Sequence, residues 1–263
     1  MIELSVIIPA YNEESRLPRT LDSVYQFLSK RGRSFEIVVV DDGSMDRTSD
    51  VVITYAKDHP EVRVIQYQPN RGKGFAVRTG ILAARGEAML IDDADGSSPI
   101  EEVERLEEAL RGGADIAIGS RAKPDPSRKV EALLHRKFIG NTFNAIVQSL
   151  LLPGFYDTQC GFKLFKRAAA RDIFSVNRID GFGFDVEVLY IARMRSYKTE
   201  ELAINWANME GSKVNVLVDS PKMFLEVLKV TLSAWFGLYK KKTSPIRTDG
   251  LIGVADRERD DAS

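Results

Sequence analysis

One pattern constrains this chain more than any other. Four times a short apolar run, rich in Val and Ile, ends in a polar or acidic cluster: "SVIIPAYNEE" (5–14), "IVVVDDGS" (37–44), "EAMLIDDADGSS" (87–98) and "IAIGSR" (116–121). Runs of this length bounded by turn residues read as strands buried on both faces. A further strand is expected at 62–67. Helices are expected near 14–30, 46–58, 73–85 and 99–111, so strands and helices alternate. Alternation of this kind predicts an α/β chain with a parallel sheet covered by helices on both faces. Ligands of such sheets sit beyond the carboxyl ends of the strands, so the four polar clusters are expected to converge on one crevice.

The third cluster narrows the chemistry. Asp92, Asp93 and Asp95 place three carboxylates within four residues, and like charges so close oppose one another's ionisation. An acid after a strand often caps a helix or sits in a solvated turn. Here a second acidic pair, Asp41 and Asp42, ends another strand of the same sheet. The chain has one Cys and two His, so zinc is disfavoured and any metal is expected on oxygen ligands. Carboxylates alone suit Mg²⁺ or Mn²⁺, which keeps waters and bridges to substrate phosphates. A metal-bound diphosphate carried by a nucleotide is the natural ligand.

Other nucleotide folds are excluded by spacing. The dinucleotide fingerprint G-x-G-x-x-G needs glycines after the first strand, where the chain reads "PAYNEES". The P-loop string G-x-x-x-x-G-K-[ST] does not occur. "NRGKGFAVRTG" (70–80) has two readings: a turn that starts a helix, or an anion-facing loop with Arg71 and Lys73 near phosphates. With 37 basic against 38 acidic residues and a net charge of −1, there is no basic excess to grip nucleic acid. The lone Cys160 forbids an internal disulfide, reads as structural and suits a reducing compartment. His59 and His135 read as surface residues, and Trp206 as a core residue rather than a sugar platform. "MIELSVIIPAYNEES" does not read as a signal peptide, and no apolar run approaches the ~20 residues of a membrane span.

The second half is less regular. A long helix is expected at 131–152, a loop and strand at 157–167, a helix at 184–196, an alternating strand at 198–206 and an apolar-rich helix at 221–240.

"SVIIPAYNEESRLPRTL", "IVVVDDGSMDRT", "NRGKGFAVRTG" and "DADGSSP", in that order, resemble the family 2 glycosyltransferases of the GT-A fold. "GSR" (119–121), "DTQCGFKLFKR" (157–167), "GFGFDVEVLYIA" (181–192) and "INWANMEGSKV" (204–214) are similar to the dolichyl-phosphate β-glucosyltransferases, relatives of the polyprenyl-phosphate mannose synthases. The resemblance spans roughly residues 3–240. It implies a GT-A-like, mixed but mostly parallel sheet with helices on both faces, plus a C-terminal amphipathic helix. The implied organisation is a catalytic domain over 1–212, that helix over 213–242 and a tail over 243–263.

It also implies roles. Pro9, Tyr11 and Glu13 line the nucleoside pocket, and Asp42 recognises the base. Arg71 and Lys73 lie near the diphosphate. Asp93 and Asp95 form the DXD pair, with Asp95 the principal ligand of Mg²⁺ or Mn²⁺. Ser97 stands where mannose synthases often carry Gln, which leaves a third metal ligand unassigned. The implied reaction moves glucose, with inversion, from UDP-glucose to a polyprenyl or dolichyl phosphate. That phosphate is already an anion at neutral pH, with a second pKa near ~6, and needs cations more than a base. Arg121, Arg136, Lys137 and Lys163 are the candidates to hold it, Arg121 first. Asp185 is a base, an acceptor-orienting group, or simply a first-turn helix acid. Relatives usually carry a membrane anchor. Here the 221–240 helix, with Met223, Phe224, Val227, Leu228, Leu232, Trp235 and Phe236, is expected either to lie at the cytoplasmic membrane face or to pack on the catalytic domain. Alternatives are another donor such as GDP-mannose or UDP-GlcNAc, a glycan acceptor, or a non-catalytic nucleotide-sugar-binding protein.

Overall fold

The computed structural model describes residues 1–131, 147–148, 151–209 and 216–239. The first strands are β1 (Leu4–Ala10), β2 (Phe35–Asp41), β3 (Val62–Gln66), β4 (Ala88–Ile91) and β5 (Ile116–Ser120). Among them run α1 (Leu17–Ser29), α2 (Thr48–Tyr55), α3 (Lys73–Ala83) and α4 (Val103–Arg111). Then come β6 (Val130–Glu131), β7 (Lys163–Lys166), α5 (Arg167–Phe174), α6 (Phe184–Met194), β8 (Thr199–Ala203), β9 (Trp206–Ala207) and α7 (Val216–Trp235).

Seven strands form one sheet in the order β3-β2-β1-β4-β7-β5-β8, and β6 pairs with β9 beside it. Successive side chains along a strand face opposite layers, and both layers are apolar. Ile7, Val38, Val40 and Ile91 pack under α3, α5, α6 and α7. Val6, Ile8, Ile37, Val39 and Leu90 pack under α1, α2 and α4. This double burial is why the strands read as unbroken Val/Ile runs.

The chain winds β1→β2→β3 one way and then returns to place β4 on the other flank of β1. The order reverses between β1 and β4, and a crevice opens at such a point. Ile7 pairs with Val38 on one side and Ile91 on the other. Beyond Ile7, β1 outruns β4. Pro9, which has no N–H to give, falls where that flank has no strand left to receive one.

The expected helices and strands are present with shifted ends. The helix expected from 14 begins at Leu17, because residues 13–16 form a turn in which the Arg16 and Leu17 amides donate to the Glu13 carbonyl at 3.1 and 2.9 Å. The strand expected over 198–206 stops at Ala203 and resumes as β9. β7 runs antiparallel to both β4 and β5, so the sheet is mixed. Most of the helix expected over 131–152 lies outside the described residues, as do Arg136, Lys137, His135 and residues 240–263. His59 is half-buried between the Tyr25 and Tyr55 rings, at 4.1 and 4.3 Å.

The C-terminal helix packs on the catalytic domain along one side only, Val227 included, and leaves the apolar residues of its other side uncovered. Val227 and Val230 join the core beneath α6. Phe224, Leu225, Leu228, Leu232, Trp235 and Phe236 stay exposed.

Candidate active site

Four loops meet at the β1/β4 switch point and are stitched together. After β1, the Asn12 amide donates to Ser44 Oγ at 2.9 Å and Asn12 Oδ1 accepts from the Met45 amide at 2.8 Å. The Glu13 amide donates to Thr48 Oγ1 at 2.8 Å. Short polar side chains in these turns satisfy backbone groups that the ladder has released. Tyr11 is left partly exposed at the mouth. The Glu13 carboxylate is buried and accepts from Arg16 Nε at 2.7 Å.

Asp42 ties the β2 loop to the loop before α3. It accepts from Tyr67 Oη, Asn70 Nδ2 and the amides of Arg71 and Gly72, each at 2.8 Å. Burial raises its carboxyl above the usual range, and the Arg71 amide and Tyr67 hydroxyl pull the other way. The structure therefore places Asp42 as the clamp of residues 70–72. Arg71 leaves that clamp with its guanidinium 3.5 Å over the Phe75 ring, and its side chain is exposed.

The crowding of the three aspartates is relieved unequally. Asp92 is 2% exposed and its Oδ1 has no hydrogen-bond partner. Burial, then the charges of Asp93 and Asp95, push its carboxyl well above the ordinary range, which favours the neutral form. Asp93 is moved the opposite way. Burial would raise it, but Lys73, then Lys163 and Arg121, hold it below the ordinary value. Lys73 Nζ lies 2.5 Å from Asp93 Oδ1. A Cβ on Gly161 would come within 2.1 Å of Asp93 Oδ2, so a side chain there would push this carboxylate from its present place. Asp95 Oδ1 accepts from the Ser97 amide at 3.0 Å, closing the turn.

Beyond β5, Arg121 is held by Asp157 with Nε–Oδ2 at 2.7 Å and Nη2–Oδ1 at 3.0 Å. Asp157 is seated in turn by Glu201, which accepts from the Tyr156 and Asp157 amides at 2.9 and 2.7 Å. The Arg121 guanidinium stands 5.5 Å from the Trp206 ring centre. Trp206 is half-buried, on a strand bonded to the metal-motif loop through the Ala207 amide and the Ser97 carbonyl at 2.9 Å.

Two assignments need correction. Lys163, expected to meet an acceptor phosphate, is fully buried and donates to Asp185 Oδ1 and the Cys160 carbonyl, both at 2.5 Å. A lysine enclosed in this way touches no substrate. It acts through its charge on Asp93. Asp185, considered as a base, has its carboxylate committed to Lys163 in the first turn of α6. Asp157 and Glu201 are site residues that sequence reasoning misses. Asp157 opens the motif "DTQCGFKLFKR", but nothing in the sequence ties it to a residue 36 positions earlier.

Asp93, Asp95, Lys73, Arg71 and Arg121 thus gather at one end of the sheet, as expected. Solved structures share the architecture. Glucosyl-3-phosphoglycerate synthase from Mycobacterium tuberculosis, in complex with Mn²⁺, uridine diphosphate and phosphoglyceric acid, superposes with a TM-score of 0.67 over 88% of this chain and 78% of that one, at 19% identity. Curated relatives named dolichyl-phosphate β-glucosyltransferase are much nearer in sequence. The Dictyostelium discoideum protein is 37% identical, over 92% of this chain and 78% of its own length. The human protein is 42% identical, over 81% and 69%. The Saccharomyces cerevisiae protein is 37% identical, over 91% and 77%. The model of glycosyl transferase family 2 matches residues 5–174, which hold all four stitched loops, and the chain belongs to that family as a glycosyltransferase.

Proposed function

We propose that this glycosyltransferase moves glucose from UDP-glucose to a dolichyl or other polyprenyl phosphate, inverting the sugar carbon, with a divalent metal at Asp93 and Asp95. The carrying observation is the Lys73–Asp93 contact at the switch point, in a chain whose curated relatives bear the name dolichyl-phosphate β-glucosyltransferase.

The residues fit a hard cation. Both candidate ligands are carboxylates, and a positive charge, Lys73 Nζ, already rests on Asp93. Among the described residues no three His, Cys, Asp or Glu side chains form a metal cage. Two carboxylates completed by diphosphate oxygens is a set that Mg²⁺ or Mn²⁺ accepts. When bound, the cation stabilises charge on the departing diphosphate. The chain's own groups do the rest. Pro9, Tyr11 and Glu13 border the nucleoside. Asp42 fixes residues 70–72, so that Arg71 and Lys73 reach the phosphates. Arg121, locked by Asp157, presents a fixed cation to the acceptor phosphate; Arg136 and Lys137, candidates for the same role by sequence, lie outside the described residues. The acceptor arrives as an anion, so the reaction needs orientation and charge compensation more than proton removal.

We assign the outer face of α7 to the membrane that carries the lipid. Among the described residues no helix is long and apolar enough to cross a bilayer. An exposed stripe ending in Trp235 and Phe236, with Lys222 and Lys229 exposed on the same helix, suits peripheral attachment to an anionic surface. The cytoplasmic face is the side we propose.

A donor panel tests this reading. Radiolabelled UDP-glucose, GDP-mannose and UDP-GlcNAc are each offered with polyprenyl phosphate, with Mg²⁺ or Mn²⁺ and with EDTA. Label entering the organic phase from UDP-glucose alone, and only with metal, is the expected result. Preference for another sugar overturns the donor. Metal-dependent UDP binding with no turnover of any sugar supports the non-catalytic alternative.

A further inference from the structure

The helix α6 begins at Phe184 with Gly183 as its N-cap, and Gly183 has no side chain to cap it. The N-cap's own amide is instead taken up by another helix. Glu226, on the inner side of α7, accepts from the Gly183 amide through Oε2 at 2.7 Å. A carboxylate at a helix N-terminus is favoured by the helix dipole as well as by the bond.

The fit leaves no spare room. A Cβ on Gly181 would lie 2.1 Å from Glu226 Oε1, and one on Gly183 would lie 2.7 Å from Glu226 Cβ and 2.8 Å from Oε2. The two glycines of "GFGF" form the niche for this side chain.

The other side of the same segment supports the donor site. The Asp180 carbonyl accepts from the Phe75 amide at 3.1 Å. A Cβ on Gly72 would meet that carbonyl at 2.5 Å, and one on Gly74 would meet the Ile179 carbonyl at 2.4 Å. Arg78 pins Asp180 Oδ1 at 2.5 Å. Backbone therefore packs on backbone between residues 179–181 and 72–75, and Lys73, the partner of Asp93, lies within that contact. Asp185, the partner of Lys163, sits in the first turn of the helix that Glu226 caps.

We propose that Glu226 is a positioning residue for glycosyl transfer. By filling the Gly181/Gly183 niche it fixes residues 179–183, and through them the placement of Lys73 on Asp93. Small displacements at a reacting centre cost large factors in rate, so a residue of α7 that touches no substrate governs turnover. This inference rests on family membership and is indifferent to which sugar and acceptor are used.

Hydrogen exchange, kinetics and a double-mutant cycle test it in the full chain. In Glu226→Ala, exchange of the Phe75 amide accelerates and kcat falls about tenfold while donor KM moves less than about threefold, the signature of lost orientation rather than lost binding. Glu226→Gln, whose amide oxygen still accepts from Gly183, keeps both near wild type. Gly181→Ala, which drives a methyl into the carboxylate, reproduces the Glu226→Ala losses. Added to Glu226→Ala it costs nothing more, because the colliding group is gone. Should Glu226→Ala fail to fold, Gly181→Ala alone decides. Unchanged Phe75 exchange with wild-type kcat in the folded variants, or full additivity of the two substitutions, overturns the proposal. If no donor in the panel is turned over, exchange at Phe75 and the cycle measured on unfolding free energy still tell coupling from independence. The failure of the glucose reading is thereby kept separate.

Discussion

Asp157 grips Arg121 at both ends of the guanidinium, 2.7 Å at Nε and 3.0 Å at Nη2, and so fixes a cation at the end of β5 that faces the crevice. The planar fork is what makes this a directional clamp, and a lysine cannot reproduce it. Arg121→Lys is therefore expected to cost about as much turnover as Arg121→Ala, on the order of a hundredfold in kcat/KM, since charge without orientation is little use. Steady-state kinetics on both variants check this. Near-normal turnover in Arg121→Lys would show that the fork is dispensable.

The same pair sets an acid limit on stability. Burial opposes ionisation of Asp157, but Arg121 overrides it and holds the carboxyl down at about 2, against ~3.9 in an unfolded chain. Between those values the unfolded chain binds more protons, so stability rises with pH through that window. The contribution is complete above about pH 4 and is lost as pH falls toward 2. Arg121 is a third exposed, so solvent screening leaves about 1–2 kcal/mol rather than the full shift. Urea titrations between pH 2 and 5 should show a shallower pH slope in Asp157→Asn than in the wild type. Equal slopes would remove the pair from the acid limit.

Much of this was legible in the sequence. The Val/Ile runs at 4–10, 35–41, 88–91 and 116–120 could be read because both faces of each strand are buried, which leaves no helical periodicity to confuse them. The convergence of Asp42, Asp93, Asp95 and Arg121 followed from strand ends alone, whereas Arg71 and Lys73 were placed beside them only by the family resemblance. The direction of β7 did not, because an antiparallel strand slotted between β4 and β5 is decided by long-range pairing. Lys163 misled for a related reason. A charged residue in a short strand reads as a surface cation, and the acid that permits its burial, Asp185, lies 22 residues on.

Asp95→Ala should abolish metal-supported transfer. Loss of one ligand removes charge stabilisation worth several kcal/mol at the leaving diphosphate, a drop of about a thousandfold in kcat. Lys73→Ala should act differently. It frees Asp93 from its resident cation, raising donor KM and leaving a metal site with more negative charge. Calorimetry of UDP with and without Mn²⁺ separates the two. Undiminished turnover in Asp95→Ala would sink the metal assignment.

Cys160 should be chemically silent. Burial, then Asp157, raises its thiol to about 12, and the side chain is 1% exposed. The reactive species is the thiolate, so at pH 8 the native chain should react with a disulfide reagent no faster than it unfolds. Full labelling should follow in denaturant. Rapid labelling of the native chain would mean that the core around Cys160 opens readily.

Trp235 and Phe236 project from the end of α7 at 84% and 74% exposure, stacked with ring centres 6.2 Å apart. Neither joins the core that Val227 and Val230 enter, so removing them should not change thermal stability. At a lipid interface each buried aromatic contributes ~1.5–3 kcal/mol, so the double variant Trp235→Ala/Phe236→Ala should bind vesicles at least about a hundredfold more weakly. Flotation with anionic vesicles, paired with a thermal melt, reads both quantities. A variant that melts like wild type and no longer floats, yet still glucosylates a short water-soluble polyprenyl phosphate, would divide the roles cleanly: the sheet end performs transfer, and the outer face of α7 finds the membrane. A variant that floats as well as wild type would return that face to plain solvent exposure and leave the lipid surface to be met elsewhere on the molecule.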